Sequence, residues 1–76
     1  MEQKRLLKAS PETLVANAAK RMARKRVGAV LVVEGERLVG IFTERDIAFR
    51  VVARGPDAQT TRLAEVMTPV DGEFGV

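Results

Sequence analysis

Apolar positions recur along this chain with two different periods. Leu14, Val15, Ala18, Ala19, Met22 and Ala23 fall on one side of a 3.6-residue wheel, with Lys20, Arg21, Arg24 and Lys25 on the other. The spacing predicts an amphipathic helix. Just ahead of it, Ser10-Pro11-Glu12-Thr13 offers a capping hydroxyl, a proline at the first helical position and an acid in the first turn. The helix is expected to end near Arg26, before Val27-Gly28. Ala29-Val30-Leu31-Val32-Val33 is then continuously apolar, too short and too β-branched for a helix. Glu34-Gly35-Glu36 reads as a turn and Arg37-Leu38-Val39-Gly40-Ile41-Phe42 as a second strand, so the two runs form a hairpin.

A second helix is expected from Thr43-Glu44-Arg45-Asp46, which has capping-box spacing with Asp where Glu is commoner. Its buried stripe would be Ile47, Ala48, Val51 and Val52, with Phe49 at the margin. Gly55-Pro56 stops it. Thr60 or Thr61 is expected to cap a short helix over Leu63–Met67, ended by Pro69, and Leu6–Ala9 to add a strand ahead of the first helix. The class is α+β, in the order β-α-β-β-α and then a helical turn, with two helices packing a small sheet. Residues 1–5 read as a polar lead, 6–69 as the folded unit, and 70–76 as a frayed tail or the start of a second unit. The chain carries no internal repeat.

Composition narrows the function. Seventy-six residues allow one small domain, and 46% hydrophobic with 30% charged residues is the balance of a folding chain. With no Cys and no His there are no disulfides, no thiolate or imidazole catalysis and no usual zinc ligand set. No nucleophile–base pair can be assembled, so turnover is not expected. The longest apolar run, Val27 to Val33, is far short of the roughly 18 residues of a membrane span, and no signal-peptide core follows Met1. A cytoplasmic protein is the default. The net charge is +3, and five of thirteen basic residues lie between Lys20 and Arg26. Such a run can contact nucleic acid. Without aromatics interleaved to stack bases, it reads better as a solvated helix end at the negative pole of the dipole.

One cluster suggests binding chemistry. Gly40 lets a backbone or a ligand approach the end of the second strand. Thr43 sits where strand becomes helix, and free N–H groups there suit phosphate. Asp46, one turn on, could accept from a cis-diol, with Arg45 and Arg50 near enough to neutralise phosphate charge. The local pattern is equally met by a cap, with Thr43 and Asp46 bonded to the helix start and no ligand. Both readings stand on these residues.

Five segments, in order and spacing, closely resemble a cystathionine-β-synthase (CBS) domain: Ser10–Val15 with Met22, Val27–Val33, Leu38–Phe42, Thr43–Ile47 and Glu65–Pro69. The resemblance runs from Leu6 to Pro69. It implies a regulatory module rather than an enzyme, with units paired through their sheets and an adenosyl ligand (AMP, ADP or ATP, among others) in the cleft between them. It needs no other cofactor. The family's ribose-phosphate pattern stands as Gly40-Ile41-Phe42-Thr43-Glu44-Arg45-Asp46, with Asp46 on the ribose hydroxyls and Thr43 on ribose or phosphate. Base contacts would map to Lys8, Ala9, Ala29 and Val30. The usual tandem partner does not follow Pro69, so the unit is expected either to belong to a longer protein or to form a homodimer. A regulated protein is the further partner implied. The rival reading is a pairing module whose cleft stays empty.

Overall fold

The β-branched run lies at the centre of the sheet. In the computed structural model, which describes residues 7–53, 55 and 57–70, β2 (Ala29–Glu34) pairs antiparallel with β3 (Arg37–Thr43). Their two-residue turn puts Gly35 at φ +65°, where glycine alone avoids a Cβ clash with the carbonyl. A bulge sets Val32 opposite Gly40 and Val33 opposite Leu38. β1 (Leu7–Ala9) joins parallel to β2, and β4 (Thr68–Pro69) antiparallel to β3, giving a sheet of order β1-β2-β3-β4. The pattern of the sequence foretold β1 but not β4. Pro69 is expected to end a helix and Met67-Thr68-Pro69 to lead toward a second unit, and two residues, one lacking an N–H, carry no strand signature.

α1 (Val15–Lys25) begins later than its expected cap at Ser10. Ser10–Thr13 instead forms a turn, closed by the Thr13 N–H on the Ser10 carbonyl at 3.1 Å. The first N–H groups of α1 find main-chain acceptors: Val15 donates to the Thr61 carbonyl (2.8 Å) and Ala16 to that of Ala58 (2.9 Å). In return, Leu63 and Ala64 at the start of α3 (Leu63–Val66) donate to the carbonyls of Thr13 (2.8 Å) and Pro11 (3.0 Å). Two helix starts thus satisfy each other's orphan donors, bridged by the Leu14–Arg62 pair. Side-chain caps at Ser10, Thr60 or Thr61 are displaced by this exchange. The residue flanking α3 is Arg62, whose N–H reaches Glu65 Oε2 at 3.0 Å.

The end of α1 matches expectation. Arg26 turns to φ 57°, its N–H on the Ala23 carbonyl, and Val27 donates to Met22, which is a Schellman closure. The second helix differs more. A single turn, α2 (Glu44–Asp46), runs straight into a π-helical stretch, Ile47–Val52, in which Ala53 donates back to Ala48. Bonding over five residues advances side chains through a smaller angle, so a stripe spaced for 3.6 residues drifts off the core. Val51 stays buried and Ile47 half-buried, while Ala48 is exposed, as are Phe49 (63%) and Val52 (72%). Gly55, at φ +95°, ends the stretch with its N–H on Val51.

The core lies between one sheet face and the helices. Leu7, Ala9, Val30, Val32 and Phe42 meet Val15, Ala18 and Met22 of α1, with Val51, Leu63 and Val66. Met22 is therefore core, as its spacing implied. Ala19 and Ala23, expected beside it, instead line an open groove of about 320 Å³ with Val27 and Ile47, rimmed by Arg26 and Glu44. The other sheet face presents Leu31, Val33 and Ile41, half-buried, and Leu38, 38% exposed. Both faces are apolar, and the described helices cover one.

Candidate functional site

Thr43 ends β3 with extended geometry, so its side chain and N–H point along the axis of the helix it starts. Asp46, three residues on, folds back over that start. Asp46 Oδ2 accepts the Thr43 N–H at 2.9 Å and the Thr43 hydroxyl at 3.2 Å, while the Asp46 N–H donates to Thr43 Oγ1 at 3.2 Å. This reciprocal cap contributes about 1 kcal/mol and fixes the carboxylate in one orientation. Only 8% of Asp46 is exposed. Its second oxygen, Oδ1, has Arg50 Nε at 3.6 Å as its partner among the described residues. The Asp46 side chain as a whole keeps 11% of its surface exposed. The site is a pre-aimed carboxylate oxygen at a strand–helix junction.

The other sequence-predicted residues separate by sheet face. Ala29 pairs directly with Thr43 and is exposed; Lys8, opposite Leu31 and so in the row of Ile41, lies on the same outer face. Ala29, Ile41, Lys8 and Thr43 thus share one surface. Ala9, Val30, Gly40 and Phe42 point the other way, into the core, with Val30 and Phe42 at 0% exposure. The side chains of Ala9, Val30 and Phe42 are buried in the core that the helices cover. Gly40 was expected to admit a backbone or a ligand. The space its missing Cβ leaves is filled by the Met67 thioether, which an added Cβ would overlap. Arg45 is exposed beside the cap.

Arg50 is the residue whose place the sequence did not disclose. Expected to neutralise phosphate, it instead lays its guanidinium along the end of α3, its side chain 41% exposed, with Nη1 donating to the carbonyls of Val66 and Met67 at 3.1 Å each. Charge alone gave no signal for this, because the acceptors are main chain sixteen and seventeen residues away. Lys20, Arg24, Lys25 and Arg26 are exposed along the end of α1, and Arg21 donates to the Lys8 carbonyl at 3.3 Å. No described helix is long and apolar enough to cross a membrane.

Comparison with known proteins gives one consistent match. A family model described as CBS domain fits residues 2–53. The CBS domain-containing protein YhcV of Bacillus subtilis is 46% identical over 59 residues, which span 78% of this chain and 41% of that protein. The meiotically up-regulated gene 70 protein of Schizosaccharomyces pombe is 44% identical over 57 residues, 75% of this chain but 8% of its own length. The chain therefore spans less than half of either relative. Among solved structures, a cystathionine beta-synthase domain protein fused to a Zn-ribbon-like domain superposes with a TM-score of 0.83 at 33% identity, covering 87% of this chain and 94% of that one. A hexameric CBS-CP12 protein from bloom-forming cyanobacteria gives 0.78 at 30% identity, covering 88% and 38%.

Proposed function

The chain belongs to the CBS domain family, and from that premise we propose that it is a regulatory module binding an adenosine nucleotide of the AMP, ADP or ATP class without turnover. The observation that carries the reading is Asp46: one oxygen is locked in the cap, and the other lies outside the cap on a fixed carboxylate whose side chain stays 11% exposed, with Arg50 Nε 3.6 Å away. An acceptor held this way suits the paired hydroxyls of a ribose. Thr43 and Ala29 share its edge of the sheet, with Ile41 and Lys8 on the same face. The outer sheet face, with Leu31, Val33, Leu38 and Ile41, takes a second CBS unit, here a second copy of the chain, and two equivalent clefts result. The hexameric relative supports assembly of such units.

A second reading, a pairing module with an empty cleft, is favoured by one fact: the Thr43 hydroxyl already both donates and accepts within the cap. Calorimetric titration with AMP separates the two. Asp46→Asn keeps an acceptor for the Thr43 N–H and removes the charge, so the helix start survives while the ribose contact weakens. Charge-assisted hydrogen bonds are worth about 1.5–3 kcal/mol, and losing the lower figure weakens AMP binding about tenfold. Wild type that binds no AMP at millimolar concentration, or Asp46→Asn that binds it equally well, overturns the nucleotide reading.

A further inference from the structure

Arg50 joins the Asp46 carboxylate to the end of α3 by polar contacts, beside the apolar packing of Ile47 and Val51 in the core that Val66 and Met67 share. Its Nε lies 3.6 Å from Asp46 Oδ1, and its Nη1 holds the carbonyls of Val66 and Met67 at 3.1 Å each. The guanidinium is planar and rigid, so Nε and Nη1 move as one unit. Those two carbonyls belong to the last residue of α3 and the one after it, where helix carbonyls lack partners. Directly beyond them the chain enters β4, and Val70 donates to the Val39 carbonyl at 3.0 Å. Beyond its main-chain N–H on Leu63, Met67 is placed by packing against Gly40. Among the described residues, Arg50 supplies the side-chain hydrogen bonds to this exit segment.

We propose that Arg50 is a positioning residue coupling the Asp46 carboxylate to the pairing of β3 with β4. The charge on Asp46 orients the fork of Arg50, and the fork holds Met67 so that β4 stays on the sheet. A ligand that donates hydroxyls to Oδ1 draws that charge away from Arg50 and loosens β4. By linkage, holding β4 in place alters the ligand's affinity by the same factor. This second half rests on the nucleotide reading; the coupling itself does not.

The test is amide hydrogen exchange on the 76-residue chain, read at Val70 with Met22 in α1 as the internal control. The tie is partly exposed, so its effect is a few-fold rather than large. Asp46→Asn should raise the opening equilibrium at Val70 roughly three- to tenfold and leave Met22 unchanged. Arg50→Met, which keeps the apolar stem, should loosen Val70 to a similar extent, and adding Asp46→Asn to it should change nothing further. Arg50→Lys keeps charge without the fork and should preserve only part of the Asp46 effect. The proposal is overturned if Asp46→Asn leaves Val70 unchanged, if the two substitutions multiply, or if Met22 rises in step with Val70. With AMP bound, Val70 should loosen in wild type and not in Arg50→Met, and AMP that binds without moving Val70 also overturns it. Failure of AMP to bind strikes the nucleotide reading alone, because the ligand-free comparisons already decide the coupling.

Discussion

Gly40→Ala asks whether the glycine of the Gly40–Asp46 segment serves a ligand or the core. An alanine Cβ there would overlap the Met67 side chain, with Sδ nearest and Cγ and Cε both at 2.9 Å. The main chain of Met67 is held by its N–H on Leu63 at 2.8 Å and its carbonyl on Arg50, so the side chain must do the moving. Inserting a methyl into a packed site costs about 1–3 kcal/mol, and a flexible methionine keeps the value toward the lower end. Alanine in a strand recovers about 0.5–1 kcal/mol of backbone entropy. The net loss is then about 0.5–1.5 kcal/mol, a fall of roughly 2–12 °C in Tm for a domain this small. Thermal melting followed by circular dichroism measures it. The double variant Gly40→Ala/Met67→Ala should be more stable than the two single effects together predict, since truncating Met67 opens the space that the added methyl needs. Gly40→Ala that melts with wild type while losing AMP binding would refute this account and give the glycine to the ligand.

Two further outcomes follow from the backbone and the sheet. Arg26 holds φ 57° at the end of α1, a conformation costing a side-chain-bearing residue about 1–2 kcal/mol, so Arg26→Gly should raise Tm by about 3–6 °C after the entropy of glycine is subtracted; an unchanged or lower Tm counts against it. Sedimentation at micromolar concentration should show wild type as a dimer or larger and Ile41→Lys as a folded monomer, because Ile41 lies at the middle of the uncovered sheet face. A wild-type monomer across that range removes the sheet face as the pairing surface.

What the sequence disclosed and what it hid divide along the range of the interactions. The hairpin, α1 and its end at Arg26, and the cap of Thr43 with Asp46 depend on neighbours within a few residues, and each was legible from composition and period. The start of α1 was not, because its donors are met by carbonyls at Ala58 and Thr61, more than forty positions downstream. A strong local signal at Ser10-Pro11 lost to that tertiary exchange. β4 and the reach of Arg50 to the end of α3 were invisible for the same reason: their partners are main-chain groups brought close by the fold. In the second helix the period itself changed, and π-helical bonding turned Ala48 and Val52 outward against a pattern that reads as buried. Of the candidate site, the pair Thr43 and Asp46 was readable to the atom type, whereas the division of the remaining residues between the two sheet faces needed the register.

The cap and the proposed ribose contact are two uses of one geometry. A free carboxylate rotates, and a ligand must hold it still at a cost in side-chain entropy. Here Thr43 does so beforehand, since its N–H and hydroxyl both fall on Oδ2 and leave Oδ1 outside the cap, beside Arg50 Nε. This also accounts for aspartate at a position where capping boxes more often carry glutamate. Glutamate would close the cap through a longer, more mobile arm and carry its second oxygen away from Arg50 Nε. Stability of the helix start would be nearly the same with either residue; the fixed direction of the second oxygen would not. The shorter side chain is therefore the expected choice where the carboxylate must serve the helix and also present an acceptor, and it is the same shortness that keeps Oδ1 within 3.6 Å of Arg50 and so within reach of the exit strand.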